Sequence, residues 1–317
     1  MGGALDPAVA TGRNLVRGAL ADLGPGSRVV VGVSGGADSL ALAAVTAFVA
    51  DRAAYDLSAV IVDHQLQAGS AQVAARAAEQ VAGLGVRAEV VEVEVGTAGG
   101  PEASARRARY EALRRPGADA ILLAHTLDDQ AETVLLGLGR GSGPRSIAGM
   151  SPVDGSLRRP FLALRRSTTE QICRAYGLEW WTDPHNADPA YRRARLRREA
   201  LPLLEEVLGG GVAEALARTA GQLASDNACL DELAAAVATP LDVATLAALH
   251  PALRSRVLRR GALEAGAEAS DLAATHLAEL DRLVTDWRGQ QRIELPGGVA
   301  CVRKGDSLSY VRTPVGG

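Results

Sequence analysis

The sequence has little lysine, few cysteines and few aromatic residues, and it has no long apolar run. Aromatic residues make up 3% of the 317 residues and hydrophobic ones 47%, so we expect two domains with aliphatic cores, at roughly 150 residues each. The three cysteines, Cys173, Cys229 and Cys301, form no CxxC pair, which argues against a cysteine zinc site or a disulfide framework. Because no apolar run approaches the ~20 residues that cross a bilayer and no secretory signal is visible, we expect a cytoplasmic protein without a membrane partner.

Charge is close to balanced, with a net charge of −3, but nearly all of the positive charge is arginine. Lys304 is the only lysine, so 33 of the 34 basic residues are arginine. Arginine is the better bidentate ligand for phosphate, and its placement therefore matters more than its total. The overall charge neither requires nor excludes a polyanionic partner.

Strand-like and helix-like segments alternate through the first two thirds of the chain. Continuous apolar runs predict buried strands, and Asp6 followed by Pro7 predicts the start of the first helix. The predicted strands are 28–33, 57–62, 86–95 and 119–124, and the predicted helices are 7–22, 38–52, 71–84, 102–115 and one that opens near 128. Repeated βα units of this kind predict an α/β fold with a doubly wound, mainly parallel sheet that binds ligands at the carboxyl ends of its strands.

The pattern changes near residue 208, where Gly209, Gly210 and Gly211 interrupt it. Alanine- and leucine-rich helical segments follow, and residues 292–312 have the pattern of short strands. We therefore predict a first domain over residues 1–207 and a second, mainly helical domain with a small β element over residues 208–317. The glycine-rich segment 139–143 is predicted to be a loop.

A glycine-rich string, SGGADS, begins at Ser34, between the first predicted buried strand and a helix. Gly35 and Gly36 let backbone N–H groups approach an anion, and Ser39 and the helix N-terminus add donors. The string lacks the lysine of a Walker A loop and the GxGxxG spacing of a dinucleotide fold. A carboxylate at Asp38 would repel a polyphosphate unless a divalent cation lay between them, so Asp38 indicates Mg²⁺. The alternative is a simple glycine turn with Asp38 or Ser39 as an ordinary helix cap.

Two acidic segments follow later strands. The string VDH, from Val62, ends the second strand near where a bound nucleotide would extend, and a capped turn is the alternative. The string AHTLDDQAET, from Ala124, runs from a strand end into a helix start, with Asp128 and Glu132 one turn apart. We interpret it as a second carboxylate ligand for the same Mg²⁺, with His125 near the transferring phosphorus. Acidic residues also stabilise a helix N-terminus, so capping is again the alternative.

Arginines cluster on two predicted helices. Arg106 and Arg109 lie at i,i+3, and the string RRARLRR, from Arg192, places Arg193 and Arg197 at i,i+4. A solvated basic face is one interpretation, and contact with the phosphates of ATP or of a nucleic-acid backbone is the other. The second domain has four further arginines with the same two interpretations: Arg254, Arg256, Arg259 and Arg260.

Two other features are interpreted as structural. Trp180 and Trp181 could offer a stacking surface, but in a chain with so few aromatic residues we expect them to anchor the core. Cys173 lies on an apolar helix and is predicted to be buried and inert.

Taken together, these strings resemble the tRNA(Ile)-lysidine synthase family, N-type ATP-pyrophosphatases of the PP-loop superfamily with an adenine nucleotide alpha hydrolase-like fold. The resemblance covers roughly residues 29–204. It is carried, in order, by SGGADSLAL, VDH, EASARRARYEAL, AHTLDDQAET, RGSGPRSIAGM, RPFL and WWTDPHNADPAYRRARLRREALPLL. The helical remainder is consistent with the family's tRNA-binding C-terminal domain.

The resemblance implies a ligase that uses ATP and Mg²⁺. ATP adenylates the oxygen at carbon 2 of the wobble cytidine in an isoleucine tRNA with the anticodon CAU, which releases pyrophosphate. The amine of free L-lysine then displaces AMP, and lysidine forms.

The resemblance also implies roles for individual residues. The implied catalytic residues are Asp38, Arg106, His125, Asp128, Asp129 and Glu132, of which Asp38, Asp128 and Asp129 would bind the metal. The implied nucleotide-binding residues are Ser34, Gly35, Gly36, Ala37, Asp38, Ser39, Asp63 and His64. Arg109, Arg140, Arg193 and Arg197 would contact phosphates of tRNA or ATP.

Two other functions remain open from the sequence. One is another ATP-pyrophosphatase acting on tRNA, such as a thiolation enzyme, although such enzymes commonly need catalytic cysteines and the cysteines here lie outside every motif. The other is a non-catalytic nucleotide- or RNA-binding module, which would gain little from several carboxylates near ATP phosphates. A homodimer, the residues that bind lysine and the identity of the base are also left open.

Overall fold

The computed structural model describes residues 5–63, 65, 69–93, 101–114, 117–141, 143–183, 188–237, 241–269 and 271–312, except for the side chains of residues 101–103, 105 and 106. The chain forms two compact units. The first unit consists of Met1–Leu136 and Gly149–Arg218, and the second of Gly137–Ala148 and Thr219–Gly317.

The helices occur in both units. In chain order they are α1 Pro7–Ala19, α2 Ala37–Ala53, α3 Ser70–Gly83, α4 Pro101–Arg114, α5 Leu127–Arg140, α6 Pro144–Ile147, α7 Arg166–Tyr176, α8 Arg192–Arg195, α9 Leu201–Val207, α10 Val212–Ala235, α11 Val243–Ala248, α12 Pro251–Glu264 and α13 Ala274–Thr285. Asp6 caps α1 as predicted, because its carboxylate accepts the N–H group of Ala8 at 2.8 Å. None of the helices within the described ranges combines the length and hydropathy that a bilayer crossing requires.

The first unit is built on a six-stranded sheet. Its strands are β1 Arg28–Val33, β2 Asp56–Asp63, β3 Arg87–Glu92, β4 Ala120–Leu122, β5 Val153–Asp154 and β6 Leu157–Arg158, in the order β3-β2-β1-β4-β6-β5. Every neighbouring pair is parallel except β5 with β6. The predicted mainly parallel sheet is therefore confirmed.

Helices cover both faces of this sheet. Successive residues of a strand point to opposite faces, so Val29 and Val31 of β1 join one buried cluster and Val30 joins another. The first cluster includes residues of α1, α2, α3 and α7, and the second includes Ala112 and Leu113 of α4. This arrangement confirms the doubly wound fold.

The strand order reverses next to β1. The chain runs from β1 to β2 and β3 on one side and later returns to β4 on the other side. In such sheets a crevice opens at the carboxyl ends of the two strands that flank the reversal. The segments after β1 and β4, which contain SGGADS and AHTLDD, are therefore placed side by side.

The second unit contains a four-stranded antiparallel sheet. Its strands are β7 Leu241–Asp242, β8 Arg292–Leu295, β9 Val299–Lys304 and β10 Ser307–Arg312, in the order β7-β10-β9-β8. Leu246, Leu258 and Leu280, from α11, α12 and α13, pack with this sheet in one buried cluster. The predicted mainly helical region with a small β element is confirmed.

Two details of the sequence prediction were wrong. The predicted loop 139–143 begins too early, because α5 continues to Arg140 and ends where Gly141 takes a left-handed conformation with φ +61°. The basic segment is not one regular helix, because a π-helical segment, Leu196–Ala200, lies between α8 and α9. Pro202 follows two residues after this segment, and a proline has no N–H group to donate to the carbonyl four residues earlier, which explains the local change of helix type.

Candidate active site

The loop between β1 and α2 has a shape that requires glycine. Gly35 has φ +81°, and a Cβ atom there would lie 3.2 Å from Cγ1 of Val73. The hydroxyl of Ser39 accepts the N–H group of Ser34 at 3.1 Å and donates to the carbonyl of Gly36 at 2.9 Å. The loop is thus held in one conformation from within.

The N-terminus of α2 faces this loop without a side-chain cap. Gly36 occupies the N-cap position and has no side chain that could accept the first N–H groups of the helix. These donors and the helix dipole attract an anion. The arrangement therefore suits an anion such as phosphate, and Trp181 supports the loop by donating its backbone N–H group to the carbonyl of Gly35 at 3.0 Å.

A cavity of about 620 Å³ opens beside the loop, within the size range of small-molecule sites. The cavity is lined by residues from β1, β2, α4, the β4–α5 junction and α7, and by Arg197 of the π-helical segment. The predicted site residues in its wall are Ser34, Gly36, Ala37, Asp38, Ser39, Arg109, His125, Asp129 and Arg197. Segments far apart in the chain therefore converge on one site.

Arg166, at the start of α7, lies between two carboxylates of the cavity. Its Nε is 3.1 Å from Oδ2 of Asp38, and its Nη2 is 2.8 Å from Oδ1 of Asp129. Burial alone would lower the pKa of Arg166, but the attraction of these two carboxylates raises it above its ordinary value. The guanidinium is a fixed positive charge that holds the two carboxylates together.

The two carboxylates differ in how readily they ionise. Burial raises the pKa of Asp38 above its ordinary value, although Arg166 and the hydroxyl of Thr169 oppose the shift. Burial acts in the same direction on Asp129, but the attraction of Arg166 and hydrogen bonds from Thr126 leave the pKa of Asp129 lowered. Thr126 donates both its N–H group, at 2.8 Å, and its hydroxyl, at 2.9 Å. Asp129 is the carboxylate whose charge is better stabilised.

Glu132 lies next to this pair with its side chain fully buried. Its Oε1 accepts Nε of Arg197 at 2.8 Å, and its Oε2 is 3.7 Å from Nη1 of Arg193. Burial raises the pKa of Glu132, and Arg197 partly offsets that shift. Arg197 also places Nη2 3.5 Å from Oδ1 of Asp129, so it links the two acids. The basic segment 192–198 thus faces the two acidic residues Asp129 and Glu132.

Two predicted acidic residues have capping contacts instead. Asp128 accepts the backbone N–H group of Arg166 at 2.8 Å and does not line the cavity. Asp63 is buried at the end of β2 and accepts the N–H group of Gln65 at 2.9 Å. The capping alternative therefore describes both contacts.

The remaining predicted residues are not brought to the cavity by any described contact. Arg193 keeps 42% of its side chain exposed. Arg140 is exposed at the end of α5, in the second unit. His64 and the side chain of Arg106 lie outside the described residues.

Comparisons with known proteins agree with this architecture. Residues 13–204 match the model of the PP-loop domain, and residues 241–309 match that of the TilS substrate binding domain. The chain is 54% identical over 303 residues to the tRNA(Ile)-lysidine synthase of Thermobifida fusca, covering 92% of this chain and 94% of that protein. It is 50% identical over 325 residues to the tRNA(Ile)-lysidine synthase of Salinispora tropica, covering 97% and 98%.

The chain belongs to the tRNA(Ile)-lysidine synthase family. The resemblance predicted from the motifs is confirmed. Among solved structures, the U34-tRNA thiolase from Methanococcus maripaludis with its 4Fe-4S cluster superimposes with a TM-score of 0.57 at 18% identity, covering 68% of this chain and 79% of that one. That likeness concerns the fold alone.

Several residues of this lysidine-synthase site were missed from the sequence. Arg166 and Thr169 were not considered, although an arginine pair, Arg165-Arg166, opens α7 where the helix dipole disfavours positive charge. That misplaced charge was the available signal. Both tryptophans were expected in the core, and both line the cavity. Trp181 is 36% exposed, whereas Trp180 also packs against the core.

The expectation for Cys173 is confirmed. Its thiol is fully buried, and burial raises its pKa to about 12. A thiol in this state is a poor nucleophile, so Cys173 is structural.

The carboxylates of the cavity fit a divalent cation. Asp38 and Asp129 both contact one guanidinium, so a single compact cation can be reached by both. Mg²⁺ usually binds one or two carboxylates together with substrate phosphates. In the part of the chain that the structure describes, no three carboxylate, imidazole or thiol side chains converge as a metal site.

Proposed function

We propose that this chain ligates L-lysine to carbon 2 of the wobble cytidine in isoleucine tRNA with the anticodon CAU. The products are lysidine, AMP and pyrophosphate, so the enzyme is a ligase that forms a carbon–nitrogen bond. Family membership supports the reaction. The structural observation that carries it is the uncapped phosphate loop of α2, which shares one cavity with Asp38, Asp129 and Arg166.

ATP would bind with its phosphates at the loop. Adenylation of the cytidine needs the leaving pyrophosphate to be stabilised as negative charge develops on it. The first N–H groups of α2 are fixed donors for that charge, and Arg109 and Arg197 add positive charge from the cavity wall. These groups need no rearrangement during the reaction, which is the condition for electrostatic catalysis.

A magnesium ion that enters with ATP would be held by Asp38 and Asp129. When bound, the metal neutralises phosphate charge and orients the phosphates for displacement. Arg166 now neutralises both carboxylates, and the phosphates offer it an alternative partner. This exchange of partners lets the site accept a charged nucleotide without leaving a buried charge unpaired.

The lysine amine must lose a proton before it attacks the activated carbon. The surrounding carboxylates attract the ammonium form and are the available bases. Asp129, with its lowered pKa, is a better electrostatic partner than base, and the raised pKa of Asp38 reflects its burial rather than a role as the base, because Asp38 would hold the metal. Asp128 accepts the backbone N–H group of Arg166 and is not among the residues of the cavity wall, so we assign it no contact with substrate.

The tRNA must present an unstacked cytosine to the cavity, as single-stranded RNA readers commonly require. We assign ATP chemistry to residues 1–207 and tRNA binding to residues 208–317, consistent with the two matched family models. The segment Gly137–Ala148 belongs to the second compact unit, so we extend the RNA-binding role to it. We expect the enzyme to work in the cytoplasm, where tRNA is matured.

The experiment is a lysine-incorporation assay. Purified protein is incubated with transcribed isoleucine tRNA, ATP, Mg²⁺ and labelled lysine, and acid-precipitable label, AMP and pyrophosphate are measured. We expect one lysine per tRNA, with stoichiometric AMP and pyrophosphate, and no label in a tRNA whose wobble cytidine is replaced by uridine.

The same assay separates the alternatives. Sulfur transfer without lysine incorporation would favour a thiolation enzyme. No cysteine is among the described residues of the cavity wall, which argues against that outcome. ATP binding without turnover would favour a non-catalytic module, and release of ADP and orthophosphate would contradict the proposed chemistry.

A further inference from the structure

We propose that Arg145, Asn227, Arg256 and Arg259 of the second unit form a binding site for a phosphate of the RNA backbone. We call these four residues the arginine cluster. The inference rests on the proposed function, because that function supplies the RNA, and it adds a place where the backbone is held.

The cluster is built from three helices of the second unit. Arg145, on α6, donates through Nη2 to Oδ1 of Asp231, on α10. Arg256, on α12, has its Nε 3.3 Å from the same oxygen, and its Nη2 donates to Oδ1 of Asn227 at 2.5 Å. Arg259 lies three residues after Arg256 on α12, on the same side of the helix, where Asp231 attracts its charge and Arg145 repels it.

Positive charge exceeds negative charge at this site. The three arginines share one carboxylate, Asp231, and that side chain is itself 42% exposed. Burial lowers the pKa of Arg259, and the repulsion from Arg145 adds to that shift. Like charges gathered in a partly desolvated place cost stability, so packing alone does not explain the cluster.

The cluster also has more hydrogen-bond donors than acceptors. Asn227 is 7% exposed, and its buried Nδ2 has no hydrogen-bond partner. Because its Oδ1 accepts from Arg256, the amide can be oriented only with Nδ2 as the free donor. Nε of Arg256 is buried too and makes no hydrogen bond of acceptable geometry, even with Asp231 at 3.3 Å. Buried donors without partners are costly, and an oxyanion would satisfy them.

A phosphate diester fits this chemistry. Planar guanidinium groups match phosphate oxygens in pairs, and phosphate contacts position a protein on RNA without reading its bases. All four residues of the arginine cluster lie in the second unit. Helix α12, which carries Arg256 and Arg259, falls within the region that matches the TilS substrate binding domain. Arg145 belongs to the string RGSGPRSIAGM, which the proposed ATP chemistry leaves without a role.

The test is a double substitution, Arg145→Gln with Arg259→Gln. The matched control is Arg282→Gln with Arg288→Gln, which removes the same charge from exposed positions of the same unit. Affinity for isoleucine tRNA is measured over a range of salt concentrations. We expect the cluster variant to bind about tenfold more weakly and to lower the slope of log affinity against log salt by about one to two, and the control to change affinity less than twofold. Equal effects of the two variants would overturn the proposal.

A third variant is expected to have the opposite effect on tRNA affinity. Asp231→Asn removes the competing carboxylate, so tRNA binding should tighten and its salt dependence should steepen. Thermal unfolding is measured for each variant. Arg259→Gln should keep the melting temperature of the wild type, because it removes a repelled charge rather than a stabilising contact. Weaker binding by folded Asp231→Asn would contradict the proposed site.

Two further measurements separate this inference from the proposed function and from a free phosphate site. In the cluster variant the KM for tRNA should rise about tenfold, while kcat should fall much less, since the site binds the substrate and does not contact the reacting atoms. If the wild type incorporates lysine and the cluster variant binds tRNA normally, only the site is refuted. If inorganic phosphate raises the melting temperature of the wild type but not of the cluster variant, while tRNA affinity is equal in both, the ligand is free phosphate and the RNA assignment is wrong.

Discussion

The active-site cavity and the arginine cluster use the same charged groups in different proportions. In the cavity, Arg166 and Arg197 alternate with Asp38, Asp129 and Glu132, and each cation contacts two carboxylates. In the arginine cluster, Asp231 is the one carboxylate among the described residues that the three cations share. A balanced network holds its shape before a ligand arrives and can exchange partners when one binds. A network in which positive charges outnumber negative ones needs an external anion to neutralise the excess charge.

The largest effect should come from the carboxylate next to the phosphate loop. Asp38→Asn is expected to lower lysidine formation by about a thousandfold, because it removes one of two carboxylates that would hold the metal while keeping the side-chain size. Label incorporation measures this effect, and circular dichroism checks that the fold is kept. Asp22→Asn, at an exposed carboxylate paired with Arg158, is the control. A rate near that of the wild type for Asp38→Asn would refute the proposed role of Asp38 as a metal ligand.

Breaking the balance in the cavity is expected to have the next largest effect. Arg166→Gln leaves Asp38 without its cation and Asp129 with only Arg197, at 3.5 Å, so we expect kcat/KM to fall about a hundredfold. Arg174→Gln is the control on the same helix, since Arg174 is 60% exposed and pairs with Glu170. Equal activity of the two variants would show that the balanced network is not needed for function.

Removing the partner of the buried acid should reduce stability. Arg197→Ala leaves Glu132 fully buried with only Arg193, at 3.7 Å, so the free energy of unfolding should fall by about 3 kcal/mol at pH 7.5. Arg195→Ala, two residues away and exposed, is the control. Denaturant unfolding measures both.

The loss of unfolding free energy caused by Arg197→Ala should become smaller as the pH falls. Burial already raises the folded-state pKa of Glu132, so its contribution to stability is full below its unfolded pKa and is lost as the pH rises through its folded one. Without Arg197 the folded-state pKa of Glu132 rises further, so acidification protonates the glutamate at a higher pH than in the wild type and removes the unpaired charge. A loss independent of pH would refute this account.

The smallest effect is expected when two arginines of α12 are substituted separately and their effects on stability are compared. Arg254 is 6% exposed and donates to Asp281 at 2.7 Å and to the carbonyl of Leu249 at 3.0 Å, so Arg254→Gln should cost about 2 kcal/mol of unfolding free energy. Arg259→Gln should leave that energy nearly unchanged. If Arg259→Gln is equally destabilising, the cluster is a structural feature and the comparison with the cavity fails.

Much of the fold could be predicted because periodicity and turn chemistry are local. The apolar runs around Val29 and Ala120 indicated buried strands, and Gly35 and Gly36 indicated an anion-binding loop. The helix limits were within a few residues. The end of α5 was missed because it depends on which glycine takes a left-handed conformation, here Gly141.

The site was predicted only in part. The residue types were found, but capping and catalytic interpretations look alike in a sequence. Asp128 and Asp129 are adjacent and chemically identical, yet one caps α7 and the other lines the cavity. Arg166 was missed because its partners, Asp38 and Asp129, are 128 and 37 residues away.

The amino-acid sequence alone determined the alternating βα order, the phosphate loop and the family, since each depends on neighbouring residues or on strings that need no partner. Tertiary structure alone decided which charges meet. It pairs Arg166 with two distant carboxylates, and it places Gly137–Ala148 in the second unit, where Arg145 joins α10 and α12. The reason is physical: a hydrophobic pattern specifies which face of a segment is buried, whereas an ion pair depends on distances that exist only after the segments have packed.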